Sequence, residues 1–308
     1  MQSRRDFIRH AALAGSAMIL PNILNAGADP KSLTILHTND THSRMEPFPM
    51  DGGKHQGMGG VAARAGIIRD IRKQVCQVLL LDAGDIFQGT PYFNYYKGEP
   101  EMKAMQMMGY DACTMGNHDF DGGIENFANQ LAHVRFPVVI CNYDFTGTPM
   151  EYQYHPYTII KKGGLKIGVT GVGIELKGLV SEDLSTGVKY LDPVERSGYY
   201  ASFLKKKGCD MVICLSHLGF DYKNDLQKIS DLKLAKASSD IDLIIGGHTH
   251  TFLNEPVKIA NQNGKEVLIN QVGWGGIKMG RLDYKFSSVF PNKSPKSAEV
   301  LSLKKMTE

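Results

Sequence analysis

Apolar and β-branched residues gather in short runs along this chain, at residues 33–37, 78–82, 138–141, 165–170, 211–215, 241–245 and 267–272. Little polar alternation interrupts them, which predicts strands covered on both faces. A shorter run at 111–115 predicts one more strand. The period changes between the runs. Ile67, Ile71 and Val75 recur at i, i+4 and i+8, so residues 61–75 predict a helix with one apolar stripe. Residues 101–108, 123–134, 193–207 and 222–237 also predict helices. This alternation of strand and helix points to an α/β fold. Residues 258–286 read instead as hairpins, with turns at Asn263-Gly264 and Gly275-Gly276. Strands without helices at that end favour a layered sheet sandwich over a simple doubly wound sheet. Residues 287–308 are polar, carry Pro291 and Pro295, and predict a strap or loose tail. No internal repeat, low-complexity tract or linker divides the chain.

Composition changes this picture only at the N-terminus. The 308 residues are 42% hydrophobic and 22% charged, as in ordinary globular proteins. Residues 1–28 carry a net +2 of the formal +3, which leaves no basic field to gather a nucleic acid polymer. Arg4 and Arg5 precede an apolar stretch at 11–20, which Pro21 and Asn22 interrupt before it could span a bilayer. Ala26-Gly27-Ala28 is a small-x-small site, with cleavage expected before Asp29. The order resembles a twin-arginine signal, so export to the periplasm is expected, with no stable transmembrane span after signal removal. The expected organisation is a signal at 1–28, one catalytic domain at 29–290 and a tail at 291–308. The five cysteines lack C-x-x-C spacing and predict no disulfide framework; Cys141 and Cys214, in apolar runs, are expected as buried thiols.

The candidate chemistry lies where the runs end. Asp40 and His42 follow the first, Asp85 the second, Asn117 and His118 the run at 111–115, His217 the run at 211–215, and His248 and His250 the run at 241–245. Loops leaving the carboxyl ends of strands in an open α/β sheet converge on one crevice. Five of the ten histidines fall in these segments. Asp and His supply charge and borderline nitrogen donors, and two ions roughly 3.5–4 Å apart can clamp both oxygens of an in-line displacement. Asp85, the lone acid of Gly84-Asp85, is the natural bridge, and glycines beside these acids let backbone approach the ions. Such mixed donors accept Zn²⁺, Mn²⁺, Fe²⁺ or Co²⁺. His37, His55, His133 and His155 fall outside the set and are expected to be structural. Asp82 is expected to support the strand end. His-x-His near residue 250 argues against a (β/α)₈ metallohydrolase, in which that pair lies on the first strand.

Asp40-x-His42, Gly84-Asp85, Gly116-Asn117-His118-Asp119, His217 and Gly247-His248-x-His250 resemble the motif set of calcineurin-like metallophosphoesterases. The flanking Leu36-His37-Thr38-Asn39, Asp82-Ala83, Phe120-Asp121, Gln271-Val272-Gly273 and Gly280-Arg281-Leu282 narrow the resemblance to the catalytic domain of 5′-nucleotidases. It covers roughly residues 32–290. It implies a four-layer αββα sandwich, two mixed sheets flanked by helices, and two divalent metal ions. One ion would be held by Asp40, His42, Asp85 and His250, the other by Asp85, Asn117, His217 and His248. His118 would be the catalytic imidazole, oriented by Asp121, with Asp119 as the other candidate for that task. The implied reaction is hydrolysis of phosphate monoesters, nucleoside 5′-monophosphates first, by in-line attack of hydroxide held at the metals. Phosphodiesterase, sugar-nucleotide hydrolase and thiosulfate-ester hydrolase activities share this core. A non-catalytic binding subunit would be expected to lose a ligand or His118, and none is missing. The nucleotidases it resembles carry their nucleoside clamp in a further domain. With the sequence ending at Glu308, either simpler esters or a separate nucleoside-binding polypeptide is expected. Tyr92, Phe93, Tyr95 and Tyr96 are the candidate patch for such a partner.

Overall fold

Strand pairing sorts the apolar runs into two sheets. The computed structural model describes residues 31–286 and 297–303. In the first sheet β1 (Lys31–Thr38), β2 (Val78–Asp82) and β3 (Ala112–Cys113) run parallel. β12 (Lys278–Phe286) lies antiparallel on the other side of β1, and β13 (Ser297–Ser302) antiparallel beyond it. The second sheet is built around β6 (Leu165–Gly173), β8 (Met211–His217), β9 (Leu243–Gly246) and β11 (Glu266–Asn270), all parallel. β5 (Tyr157–Lys162) and β10 (Val257–Ala260) close its two edges antiparallel. A separate pair, β4 (Tyr143–Asp144) and β7 (Lys189–Tyr190), stands apart.

The two-residue period of a strand decides what each side chain meets. Leu79 and Leu81 of β2 join Ile213 and Leu215 of β8 in a core between the sheets. Leu80, between them in sequence, faces the other way. It packs with Ile68 and Ile71 of α1 (Val61–Gln74), Met105 of α3 (Glu99–Met108) and Phe127 of α4 (Ile124–Gln130). α2 (Pro91–Tyr96) adds Phe93 to the same cluster. Val212 and Cys214 of β8 meet α5 (Pro193–Lys206) and α6 (Asp231–Ala237) through Leu204 and Leu234. The result is the four-layer αββα sandwich, with mixed sheets. Each fully buried aliphatic side chain contributes about 1.5–3 kcal/mol, so both faces of both sheets are held. No helix among the described residues is long and apolar enough to cross a membrane. Cys141 and Cys214 are buried thiols, and burial pushes the Cys141 pKa up to about 12.

Several segments depart from the expected elements. Residues 138–141 form no strand of either sheet. Val138 bridges Cys113 of β3, and Cys141 N donates to Gly171 O of β6 at 2.8 Å, so the segment ties the β3 edge of the first sheet to β6 of the second. A Cβ on Gly171 would lie 2.0 Å from Val139 O, which is why glycine stands there. The helix expected over 222–237 is only Asp231–Ala237. Asp225 instead accepts the backbone N–H of Gln227 and Lys228, a turn that competes with helix, and Ser230 caps the late start. The helix expected over 123–134 stops at Gln130 and tightens into a 3₁₀ turn, Leu131–His133. β10 and β11 form the expected hairpin around Asn263-Gly264, but β11 and β12 do not pair. The chain crosses between sheets through Gly275, whose N–H donates to Asp40 O at 2.7 Å. Part of the expected strap or tail is β13. The segment at 1–28, expected to be a signal, lies outside the described residues.

Candidate metal centre

The five strand ends converge. Asp40 and His42 follow β1, Asp85 follows β2, Asn117 and His118 follow β3, His217 closes β8, and His248 and His250 follow β9. The backbone turns sharply at these points. Asp40, His42, Asp85, His248 and His250 have φ of 49°, 48°, 54°, 72° and 52°, five of the nine non-glycine residues described with positive φ. Such a conformation costs about 1–3 kcal/mol each and persists only where surroundings impose it. Here Asp40 N donates to Gly84 O, His42 N to Asp85 O, and His248 N to both Asp40 oxygens at 3.0 and 3.1 Å. Gly116 must be glycine, because a Cβ there would lie 2.1 Å from Asp85 Oδ1.

The side chains gather into two groups that share Asp85. Asp40, His42, Asp85 and His250 form one, and Asp85, His217 and His248 the other, each with ligand atoms within 4.8 Å of one another. His42 Nε2 and His250 Nε2 are 2.9 Å apart, and His250 Nε2 is 3.4 Å from Asp40 Oδ1. The Asn117 amide oxygen is 2.8 Å from His248 Nδ1, beside the second group. His217 supplies the test of fit. Its Nδ1 donates to Ala83 O at 2.7 Å, so in the neutral ring Nε2 carries a lone pair. That buried Nε2 has no aligned hydrogen-bond partner, yet Asp85 Oδ2 lies 3.0 Å away. A lone pair facing a carboxylate needs a proton or a cation between them. In the metal-free chain a proton serves: burial alone would lower the His217 pKa, but Asp85 and then Asp40 raise it to about 10. Burial lowers His248 to about 4 and lowers His42 as well, which leaves both rings neutral near pH 7. Burial opposes ionisation of Asp85, but His217 and His42 hold its carboxyl well below the usual range. Imidazole nitrogens of His42 and His248 free to ligate, and a His217 lone pair facing the Asp85 carboxylate once the intervening proton is displaced, fit divalent cations.

His118 stands beside these groups, its backbone N–H donating to Asp85 Oδ1 at 2.8 Å. Its Nδ1 is 2.7 Å from Asp121 Oδ2, and that hydrogen bond raises its pKa. Asp119 is occupied elsewhere. Its carboxylate accepts the N–H groups of Asp85, Ile86, Phe87 and Gly116, clamping the loop that presents Asp85. Sequence reading missed that duty, and it missed two more. Asn39 donates to Asp40 Oδ2 and Gly273 O and accepts Val272 N, joining the β1 end to the sheet crossover. Gln271 donates to Gly247 O and accepts from Thr249 Oγ1 and Thr251 N, holding the loop that carries His248 and His250. Asn39 and Asp119 lie inside the local motifs, which is their only signal. Gln271 has none in spacing. Asp82 accepts from Thr38 Oγ1 and Gly84 N at the end of β2. In the tyrosine segment Phe93 is buried against Phe87, while Tyr95 and Tyr96 are 80% and 57% exposed.

Residues 33–252 match the family model described as calcineurin-like phosphoesterase. The chain belongs to that family. The snake venom 5′-nucleotidase of Gloydius brevicauda is 34% identical over 283 residues, 85% of this chain and 47% of that protein. The solved structure of a 5′-nucleotidase precursor from Thermus thermophilus superposes with a TM-score of 0.78 at 31% identity, covering 89% of this chain and 55% of that one. The NAD nucleotidase of Haemophilus influenzae superposes at 0.73 with 27% identity, covering 88% of this chain and 49% of that one. This phosphoesterase chain therefore spans about half the length of the relatives it matches.

Proposed function

We propose that this chain is a two-metal phosphate monoesterase of the 5′-nucleotidase type. The observation that carries the reading is the pair of ligand groups sharing Asp85, with the His118–Asp121 pair beside them. Likeness to nucleotidases over most of the chain supports the substrate class. Asp40, His42, Asp85 and His250 hold one ion; Asp85, Asn117, His217 and His248 hold the other. Zn²⁺, Mn²⁺, Fe²⁺ and Co²⁺ all suit these mixed donors, and elemental analysis of the purified protein identifies the occupants. When bound, such ions supply Lewis-acid stabilisation of phosphoryl charge and activation of water.

The remaining work falls to the chain. Asp121 fixes the tautomer of His118 by accepting from Nδ1, which leaves Nε2 to face the ester. The Asp121 hydrogen bond raises the His118 pKa and so favours the doubly protonated ring, with a proton on Nε2 as well as Nδ1. Nε2–H can then stabilise a phosphoryl oxygen or protonate the leaving oxygen. Asp119 and Gln271 hold the two ligand loops so that little reorganises during the reaction. Export by a twin-arginine route to the periplasm belongs to the same reading, supported by the order of arginines, apolar run and small residues at 4–28.

The test is phosphate release from 5′-AMP with Mn²⁺ or Zn²⁺ added. Release is expected, and His118→Ala should cut kcat by about 10²–10⁴-fold. Silence of the metal-loaded chain on 5′-AMP overturns the nucleotidase reading. Equal turnover of 5′-AMP and ribose 5-phosphate would point to a nucleoside site on a separate polypeptide. Likeness to an NAD nucleotidase favours one second reading, cleavage of a dinucleotide pyrophosphate, so NAD belongs in the same assay.

A further inference from the structure

His250 is the loosest of the candidate ligands. Its side chain is 40% exposed and its backbone is left-handed. Two other rings beside the site have a polar group on the second nitrogen: Ala83 O serves His217 and Asp121 serves His118, whereas the buried His42 Nδ1 has none. Among the described residues no group hydrogen-bonds His250 Nδ1. The ring is held instead by a face. The indole of Trp274 stacks on it with centroids 5.7 Å apart and planes 16° from parallel. Trp274 is in turn fixed by the ring of Phe48, edge to face at 5.4 Å, and by His55 at 6.4 Å. The Arg44 guanidinium covers Phe48 at 4.0 Å. Trp274 therefore sits in an aromatic cradle built from the loop after His42 and the crossover after β11.

We propose that Trp274 is the positioning residue for His250 and sets the affinity of the metal site that His250 completes. This rests on the assignment of His250 as a ligand. Two effects act together. The stack restricts the ring to the orientation in which Nε2 faces Asp40 and His42, the task a hydrogen bond performs elsewhere. Ligation also draws electron density from the imidazole, and an electron-poor ring is attracted to the indole face as other cations are. The stack is therefore stronger with metal bound than without.

Trp274 is also the single tryptophan of the chain, so its emission reports on this site alone. The experiment is titration of the metal-free full chain with Zn²⁺, followed by calorimetry and by tryptophan emission, with circular dichroism to check folding. The wild type should bind two ions, with emission responding to one. His250→Ala should bind one ion and lose the emission change. Trp274→Ala and Trp274→Leu should weaken one site by about 10–100-fold and leave the other unchanged. Trp274→Phe should stay within a few-fold of wild type. Leu fills space without a π face, so the Leu and Phe variants decide the matter even if the Ala variant does not fold. Wild-type affinity in Trp274→Leu, or equal weakening of both sites, overturns the proposal. A wild type that binds no ion, or a His250→Ala variant that still binds two, overturns the ligand assignment instead.

Discussion

The His37 ring is fully buried at the end of β1, its Nε2 3.0 Å from Asn270 Nδ2 and pressed against Gly280 of β12. Burial lowers its pKa to about 3. The unfolded chain binds a proton near pH 6.5 that the folded chain refuses until about pH 3. Stability from this group is thus complete above pH 6.5 and falls as pH drops, by about 2 kcal/mol between pH 7 and 5. Urea midpoints at those two values should separate less in His37→Gln than in wild type; an unchanged separation would show that His37 is not kept neutral. The same scale shows what could be read in advance. Asp40, His42, Asp85 and the His248/His250 pair announce themselves because each follows an apolar run within a few residues. Asp119 did not reveal its clamp on Ile86, nor Asn39 its bond to Val272, because those partners lie 33 and 233 residues away.

Leu303 carries the element-scale argument. It is fully buried, its N–H donates to Ile277 O, and its carbonyl accepts from Gly59 N. Leu303 thus pins the end of β13 beside the crossover that brings Trp274 to His250. Leu303→Ala should cost about 2–4 kcal/mol, measured as the loss in unfolding free energy. A loss below 1 kcal/mol would mean that β13 is only draped on the sheet. Polar residues and two prolines hid this strand, because an edge strand buries only part of one face and shows little apolar periodicity. The crossover after β11 was hidden for another reason. A glycine pair between two β-rich runs signals a turn, but which sheet receives the next strand depends on partners far along the chain. The helix expected at 222–237 was shortened by Asp225 bonding its own backbone, a local choice that apolar spacing does not register.

At the scale of the molecule, each proposed ion would join the two sheets. One would draw Asp40, His42 and Asp85 from the first sheet and His250 from the second; the other would join Asp85 and Asn117 to His217 and His248. Binding should therefore resist separation of the whole sandwich. At free metal one hundred times Kd, each ion adds about 2.7 kcal/mol. Chelation should lower Tm by about 5 °C or more, and one added equivalent should restore only part of it. A Tm indifferent to chelator would mean that the ligand groups do not bridge the layers. β1 lies inside the first sheet, between β2 and β12, and β12 does not begin until residue 278. On a ribosome adding about 5–20 residues per second, that side of β1 waits roughly 12–50 s for its partner. During this interval an apolar strand edge is open to any neighbouring chain. The hazard of this architecture is one of timing, and a nascent chain stalled before residue 278 should be the form that a chaperone holds longest.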